Sequence, residues 1–156
     1  MKALVISDTH GNVTLALKAH SLSEPVDIVF HLGDGSDDAD LMREVLDVTV
    51  INVAGNCDIG SKAPRELVWE CEGKKIMLSH GDAYGVKAGL SRLDQRARGI
   101  GADAVLFGHS HLALNELRSE LLILNPGTLM QACHHHTYAV MTVTPDGITA
   151  SLHEID

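Results

Sequence analysis

Aromatic residues are scarce in this chain, with two Phe, two Tyr and one Trp making up 3% of 156 residues. Stacking platforms for bases are therefore hard to build. Positive charge is short as well: 12 Lys and Arg stand against 21 Asp and Glu, a formal net charge of −9. Both shortages argue against nucleic acid as a partner, since such partners select a basic surface. Only three cysteines are present, Cys57, Cys71 and Cys133, scattered and odd in number. No disulfide framework follows, and this usage suits a reducing cytosol. No apolar stretch approaches the length of a transmembrane helix. The N-terminal apolar run is too short for a signal peptide and reads as a first strand. The expectation is a cytoplasmic protein without a membrane partner; a homo-oligomer stays open.

What the chain does have is enough apolar residue, 45%, to hold a core without covalent staples. A domain of this size buries roughly 70% of the surface its unfolded chain exposes. One domain over residues 1–156 is expected. Short β-branched runs alternate with helical stretches, the pattern of an α/β fold. The strand candidates are Lys2–Ser7, Asp27–Leu32, Thr49–Ala54, Lys75–Ser79 and Asp103–Phe107. Val13–Ser21 reads as a helix capped by Asn12, and Ser36 as the cap of a second helix with Leu41 and Val45 on one face. Val86, Leu90, Leu93 and Ala97 recur at helical spacing and predict a third, whose Arg92, Arg96 and Arg98 form a solvated face. Toward the C-terminus, Leu112–Arg118, Leu121–Leu124, Tyr138–Thr144 and Gly147–Glu154 read as strands, the last two joined by a Pro145-Asp146-Gly147 turn. Two packed sheets with helices outside are expected.

The chemistry sits in five loops, each following a strand candidate and each pairing a polar ligand type with glycine. They are Asp8-Thr9-His10-Gly11-Asn12, Gly33-Asp34-Gly35, Gly55-Asn56-Cys57-Asp58, His80-Gly81-Asp82 and Gly108-His109-Ser110-His111. In open α/β sheets, ligands bind beyond the carboxyl ends of the strands, so these loops can share one crevice. Asp8, His10, Asp34, Asn56, His80, His109 and His111 offer oxygen and imidazole nitrogen but no thiolate. Seven donors are too many for one first-row ion and suit two that share a carboxylate. An imidazole-rich set favours Mn2+, Fe2+, Co2+, Ni2+ or Zn2+ over Mg2+ or Ca2+; Mn2+ is the favoured choice. Two dications against the Asp8 and Asp34 carboxylates leave a charge of about +2, which attracts a phosphate ester. Paired ions about 3.5–4 Å apart stabilise the attacking and leaving oxygens of an in-line displacement and acidify bound water. Hydrolysis of a small phosphate ester by a bridging hydroxide is the expected reaction.

These motifs, in this order over two thirds of the chain, resemble the calcineurin-like metallophosphoesterase superfamily. The short length and the Gly55-Asn56-Cys57-Asp58 variant resemble its compact prokaryotic phosphodiesterases, a group that includes a eukaryotic retromer subunit working as a scaffold. The resemblance implies a four-layer αββα sandwich of two mixed sheets. It also implies that Asp8, His10 and His111 hold one ion, that Asn56, His80 and His109 hold the other, and that Asp34 bridges. Asp34, Asn56, His80 and His109 are the catalytic candidates, and Asn12 and Cys57 are candidate substrate contacts. Cys57 stands where the superfamily often has a histidine, which leaves the general acid unassigned. Asn125-Pro126-Gly127-Thr128 resembles a turn beside the site, but no Pro-Arg follows it; the chain reads Gln131-Ala132-Cys133-His134-His135-His136.

For the other polar residues simpler readings come first. Asp58 orients a loop or a ligand imidazole, His31 packs in the core, and His20 and His153 have surface or packing roles. His134–His136 form a solvated loop. Asp37, Asp38 and Asp40 favour a helix start and carry no chemistry. A metal-bound interaction scaffold and, behind it, a nuclease are the competing functions.

Overall fold

Lys2–Ile6 (β1), Ile28–His31 (β2) and Thr49–Asn52 (β3) run parallel, separated by helices Val13–Ser23 (α1) and Ser36–Val45 (α2). The structure is a computed structural model describing residues 1–156. Glu66–Cys71 (β4), Lys74–Ser79 (β5), Ser91–Gly99 (α3), Ala104–Leu106 (β6), Leu114–Arg118 (β7), Leu121–Asn125 (β8), His136–Thr144 (β9) and Gly147–Ile155 (β10) follow. They assemble into two five-stranded mixed sheets, β10-β9-β1-β2-β3 and β4-β5-β6-β8-β7. No helix is long and apolar enough to cross a membrane.

Strand periodicity explains the layering. Successive side chains of a strand point to opposite faces, so a strand covered on both sides reads as a continuous apolar run. In β1, Ala3 and Val5 enter the core between the sheets, while Leu4 and Ile6 enter a second core beneath α1 and α2. In β8, Leu122 and Leu124 join the central core, while Leu121 and Ile123 face the core under α3. Three cores separate four layers, helix–sheet–sheet–helix. The expected αββα sandwich is the observed fold.

Several local expectations change. β4 was not anticipated: it is a sheet-edge strand whose Leu67, Trp69 and Cys71 pack on the central core while Val68 and Glu70 stay exposed. Leu41 and Val45 do not form the buried face of α2; they are exposed, and Ala39 and Met42 point inward. Val86 and Leu90 pack with Leu93 and Ala97 but precede the helix, which begins at Ser91 after a 3-10 turn at Asp82–Tyr84. Leu112 lies outside β7 and is exposed. The arginine face of α3 is solvated as expected, with Arg96 reaching Glu66 on β4. The Pro145-Asp146 turn joins β9 to β10.

The helix caps differ in cause. Asn12 precedes α1 but makes no side-chain cap bond; its Nδ2 donates to the Leu129 carbonyl at 2.8 Å. Ser36 is the first residue of α2, not its cap. The free N–H groups there are taken by Asp58, from a different loop. Its Oδ1 accepts from Gly35 (2.9 Å) and Ser36 (2.8 Å), and its Oδ2 accepts from Asp34 (2.8 Å) and Gly55 (2.7 Å). A carboxylate at a helix N-terminus satisfies orphan donors and complements the helix dipole. One side chain thus caps α2 and ties loop 55–58 to loop 33–36.

Burial works against the Asp58 anion, but the Ser36, Gly55, Asp34 and Gly35 N–H groups outweigh it and hold its pKa below the usual carboxylate value. Its stabilisation is therefore present above the unfolded-state pKa of about 3.9 and is lost as pH falls through the lower folded value. Asp58→Ala is expected to reduce unfolding free energy by about 2 kcal/mol at pH 7, the upper range for a lost cap. In urea unfolding the gap between wild type and variant should narrow in acid; an equal gap at pH 7 and pH 3 would count against this capping role.

Candidate metal centre

Loops at the carboxyl ends of β1, β2, β3, β5 and β6 converge at one end of the sandwich. Their backbones interlock: Asp8 N–H donates to Gly33 O (3.0 Å), His10 N–H to Asp34 O (3.0 Å) and Gly108 N–H to His80 O (2.9 Å). Asp8, His10, Asp34, His109 and His111 all have positive φ, between 46° and 65°. Non-glycine residues seldom occupy this region, and such strain persists only where surroundings over-determine it. The other positive-φ side-chain residues, Glu72, Ser119 and Glu120, lie in hairpin turns. Backbone strain is concentrated on the candidate ligands.

The side chains form two groups. Ligand atoms of Asp8, His10 and His111 lie within 4.8 Å of one another, as do those of Asp34, His80 and His109. His111 Nε2 is 3.1 Å from Asp8 Oδ1, and His80 Nε2 is 3.3 Å from Asp34 Oδ2. His10 Nε2 stands between the carboxylates, 3.9 Å from Asp8 Oδ1 and 3.7 Å from Asp34 Oδ2. Ligand atoms that each sit about 2.0–2.2 Å from one ion are necessarily spaced in this range. Asp34 Oδ2 faces imidazoles from both groups, which suits a shared ligand.

His80 provides the most direct indication that the cleft suits a cation. Its Nδ1 lies 2.8 Å from the Leu32 carbonyl, which only an N–H can satisfy, so the neutral ring presents its lone pair at Nε2. That Nε2 is buried and has no hydrogen-bond partner, although Asp34 Oδ2 lies 3.3 Å away. Buried polar atoms are normally paired. Asp8 and Asp34 are buried too, and neither forms an ion pair with Lys or Arg; their charged neighbours are histidines.

Burial opposes the Asp8 anion, but His111, His80 and Ser7 outweigh it and keep its pKa low. Asp34 behaves likewise: burial is the largest single influence and opposes its anion, but His80 and Cys57 together outweigh it and hold its pKa well below the usual carboxylate range. Burial also disfavours an imidazolium at His80, yet Asp34 and Asp8 raise its pKa. At His109, burial and the neighbouring His80 push the pKa down. The carboxylates are anionic at neutral pH, and the cleft attracts positive charge.

A second set of residues positions the donors. Thr128 Oγ1 donates to the Asp8 carbonyl (2.9 Å), and Asn125 Nδ2 donates to the Gly108 carbonyl (3.1 Å), so the Asn125–Thr128 turn braces two ligand loops. His31 is a fully buried core residue that also serves the site. Its Nδ1 accepts from Gly33 N–H (3.2 Å), which leaves Nε2–H for Thr9 Oγ1 at 3.0 Å. Thr9 in turn donates to Asp38, which also accepts from Gly11 N–H at 2.8 Å. Burial pushes the His31 pKa down to about 4, so the ring is neutral and keeps this direction at pH 7. Asp38 therefore organises the first ligand loop, a correction to its reading as a helix-start residue without chemistry.

Asn56 and Cys57 lie exposed in the loop after β3. The Cys57 N–H donates to Asp34 Oδ1 at 2.8 Å, and Asn56 Nδ2 faces Cys57 Sγ at 3.4 Å. The hydrogen bond with Asp34 pushes the Cys57 thiol pKa up, so Cys57 is a neutral thiol. Its Sγ lies within 4.8 Å of ligand atoms of His10 and Asp34. Asn12 uses its amide N–H on Leu129 and so ties the first loop to the strand β8–β9 connection. His134 and His135 are exposed, whereas His136 starts β9 and its Nε2 meets the Met130 carbonyl at 3.0 Å. Cys133 Sγ lies 3.8 Å from His111 Nδ1, which brings that segment to the cleft rim. His20 is buried, and His153 stacks on Tyr138.

Arg65 was missed because an isolated arginine carries no motif. It donates to the Gly55 carbonyl (2.6 Å) and pairs with Asp82, joining the loop of Asn56 to the loop of His80.

An αββα sandwich with Asp- and His-bearing loops at its strand ends defines a metallophosphoesterase. The calcineurin-like phosphoesterase superfamily domain matches residues 1–146, and the chain belongs to that superfamily. A probable metallophosphoesterase, YsnB of Bacillus subtilis, is 32% identical over 99% of this chain and 91% of its own. The phosphodiesterase YfcE of Escherichia coli is 29% identical over 83% of this chain and 79% of its own. Among solved structures, a Streptococcus pneumoniae protein described as a predicted phosphoesterase superposes with a TM-score of 0.78 at 26% identity, covering 99% of this chain and 97% of that one. Vps29 of Entamoeba histolytica, in complex with Zn2+, gives 0.77 at 19% identity over 100% and 99%.

Gly108 tests how closely the loops must approach. A Cβ there would lie 1.9 Å from Ser7 Oγ and 2.6 Å from Asp8 Oδ2, whereas one at Gly147 would meet nothing within 4 Å. Gly108→Ala is expected to lower Tm and eliminate tight Mn2+ binding in calorimetry, with Gly147→Ala close to wild type. Arg65→Ala should leave Tm within a few degrees and weaken metal binding by about tenfold, as loss of an outer partner does. Unchanged Mn2+ affinity in Arg65→Ala would remove it from the site.

Proposed function

We propose that this protein is a metal-dependent phosphodiesterase acting on small phosphate esters through two divalent transition-metal ions, with Mn2+ favoured. The observation that carries the reading is the buried, unpartnered Nε2 of His80 facing Asp34, in a cleft with two buried carboxylates and no Lys or Arg paired to them. Asp8, His10 and His111 would hold one ion, His80, His109 and Asn56 the other, and Asp34 both. When bound, such a pair polarises the phosphoryl group and acidifies water.

The chain's own contribution is orientation. The Leu32 carbonyl fixes the tautomer of His80, and Ser7, the His109 N–H and His111 fix the rotation of the Asp8 carboxylate. Preorganised groups of this kind need little rearrangement as the reaction proceeds. Seven protein-derived ligands of this type carry a charge of only −2, so the loaded cleft would be cationic and would draw in an anionic ester. The acidic surface elsewhere keeps nucleic acid out. The phosphodiesterase YfcE supports diester over monoester chemistry.

A second reading, a metal-bound interaction scaffold, draws on the exposed Ile59 and Leu112, which directly follow the ligand-loop residues Asp58 and His111. Hydrolysis of bis(p-nitrophenyl) phosphate separates the two. With Mn2+ or Ni2+, wild-type turnover is expected, and Asp34→Asn or His109→Ala should reduce kcat/KM by more than about a hundredfold. Metal-loaded protein with no turnover sensitive to these changes would reject the enzyme and favour the scaffold.

A further inference from the structure

Where the edge strands β3 and β4 come together, a groove of about 750 Å³ opens beside the cleft. That volume lies within the range of small-molecule sites. Cys57 lines the groove, and its Sγ is within 4.8 Å of ligand atoms of His10 and Asp34. A group attached to phosphate at the ligand cluster therefore enters the groove directly past Cys57.

The lining sets the chemistry that such a group must match. Ser36 Oγ and Ser61 Oγ are 2.9 Å apart, and Asn52 Nδ2 reaches Ser36 Oγ at 3.3 Å, which gives one wall a hydroxyl and amide network. Ile59 and Leu67 supply apolar surface. No aromatic side chain lines the groove, so a nucleobase finds no stacking platform. Each guanidinium nitrogen of Arg43 already donates, to Asp40, Asn52 and the Val50 carbonyl. The exposed Lys62 is offset by the exposed Asp37, and no cluster of free cations awaits a second phosphate.

We propose that this groove is the alcohol-arm subsite and takes an uncharged, hydroxylated alcohol of sugar or polyol type esterified to the phosphate. The assignment rests on the phosphoesterase reading and names its substrate class.

The test is calorimetric binding to Mn2+-loaded protein, independent of turnover. The probes are inorganic phosphate, a hexose phosphate joined through its primary hydroxyl, and adenosine monophosphate. The hexose phosphate is expected to bind about tenfold more tightly than phosphate, a difference of about 1.4 kcal/mol, and more tightly than the nucleotide. Ala63→Trp, which fills the groove, should erase that advantage while leaving phosphate affinity within twofold, and Ser61→Ala should erode it severalfold. Equal affinity for phosphate and hexose phosphate in wild type, tighter binding of the nucleotide, or an advantage that survives Ala63→Trp would overturn the assignment. Failure of bis(p-nitrophenyl) phosphate hydrolysis sinks the parent reading instead, and the binding ratios remain measurable.

Discussion

Asp8 and Asp34 are carboxylates removed from water with no Lys or Arg beside them, and much of the local structure follows from that constraint. A buried anion is costly unless donors or positive charge surround it. The chain meets part of this demand with its own groups: Ser7, the His109 N–H and His111 around Asp8, and the Cys57 N–H around Asp34. It leaves the rest to the imidazoles of His10, His80 and His109. A divalent cation would complete the arrangement more fully than a proton on His80, because it can bind the Nε2 lone pair that the Leu32 contact directs into the cleft together with carboxylate oxygens, whereas a proton on Nε2 serves one acceptor.

Holding such a cluster strains the chain, and the strain is local. Five of the candidate ligands adopt left-handed backbone angles. They are stabilised from outside, by Thr128 on the Asp8 carbonyl, by Asp58 on the amides of Asp34 and Gly55, and by the His31–Thr9–Asp38 chain beneath the first loop. None of these supports touches a phosphate in the proposed chemistry. They explain why conformations worth roughly 1–3 kcal/mol of strain each can persist.

Much of this was legible in the sequence, for definite reasons. Strands buried on both faces, such as Ala3–Ile6, stand out as unbroken apolar runs, and the ligand loops follow them immediately. Residues whose role depends on a remote partner were harder to read. The edge strand β4 mixes Trp69 and Leu67 with Glu66 and Glu70, so its half-exposed alternation was overlooked. Asp58 caps a helix that begins 22 residues earlier in the chain, and no local pattern gives a cap from that distance. Asp38 has the composition of an ordinary helix start, yet it is buried because Thr9 and Gly11 need its oxygen. The spacing of the ligands was visible; the hydrogen bonds that hold them were not.

The division of donors between the sheets has a further consequence. Asp8, His10, Asp34 and Asn56 follow strands of the first sheet, and His80, His109 and His111 follow strands of the second. Each proposed ion therefore takes ligands from both sheets: Asp8 and His10 with His111, and Asp34 and Asn56 with His80 and His109. Metal binding is then linked to the packing of one sheet on the other, because an ion that binds only the assembled cleft stabilises it by mass action. The central core already joins the sheets through apolar residues of β1, β2 and β9 on one side and β5, β6 and β8 on the other. At the strand ends, where loops and charge replace apolar contact, the proposed ions would take over that joining role.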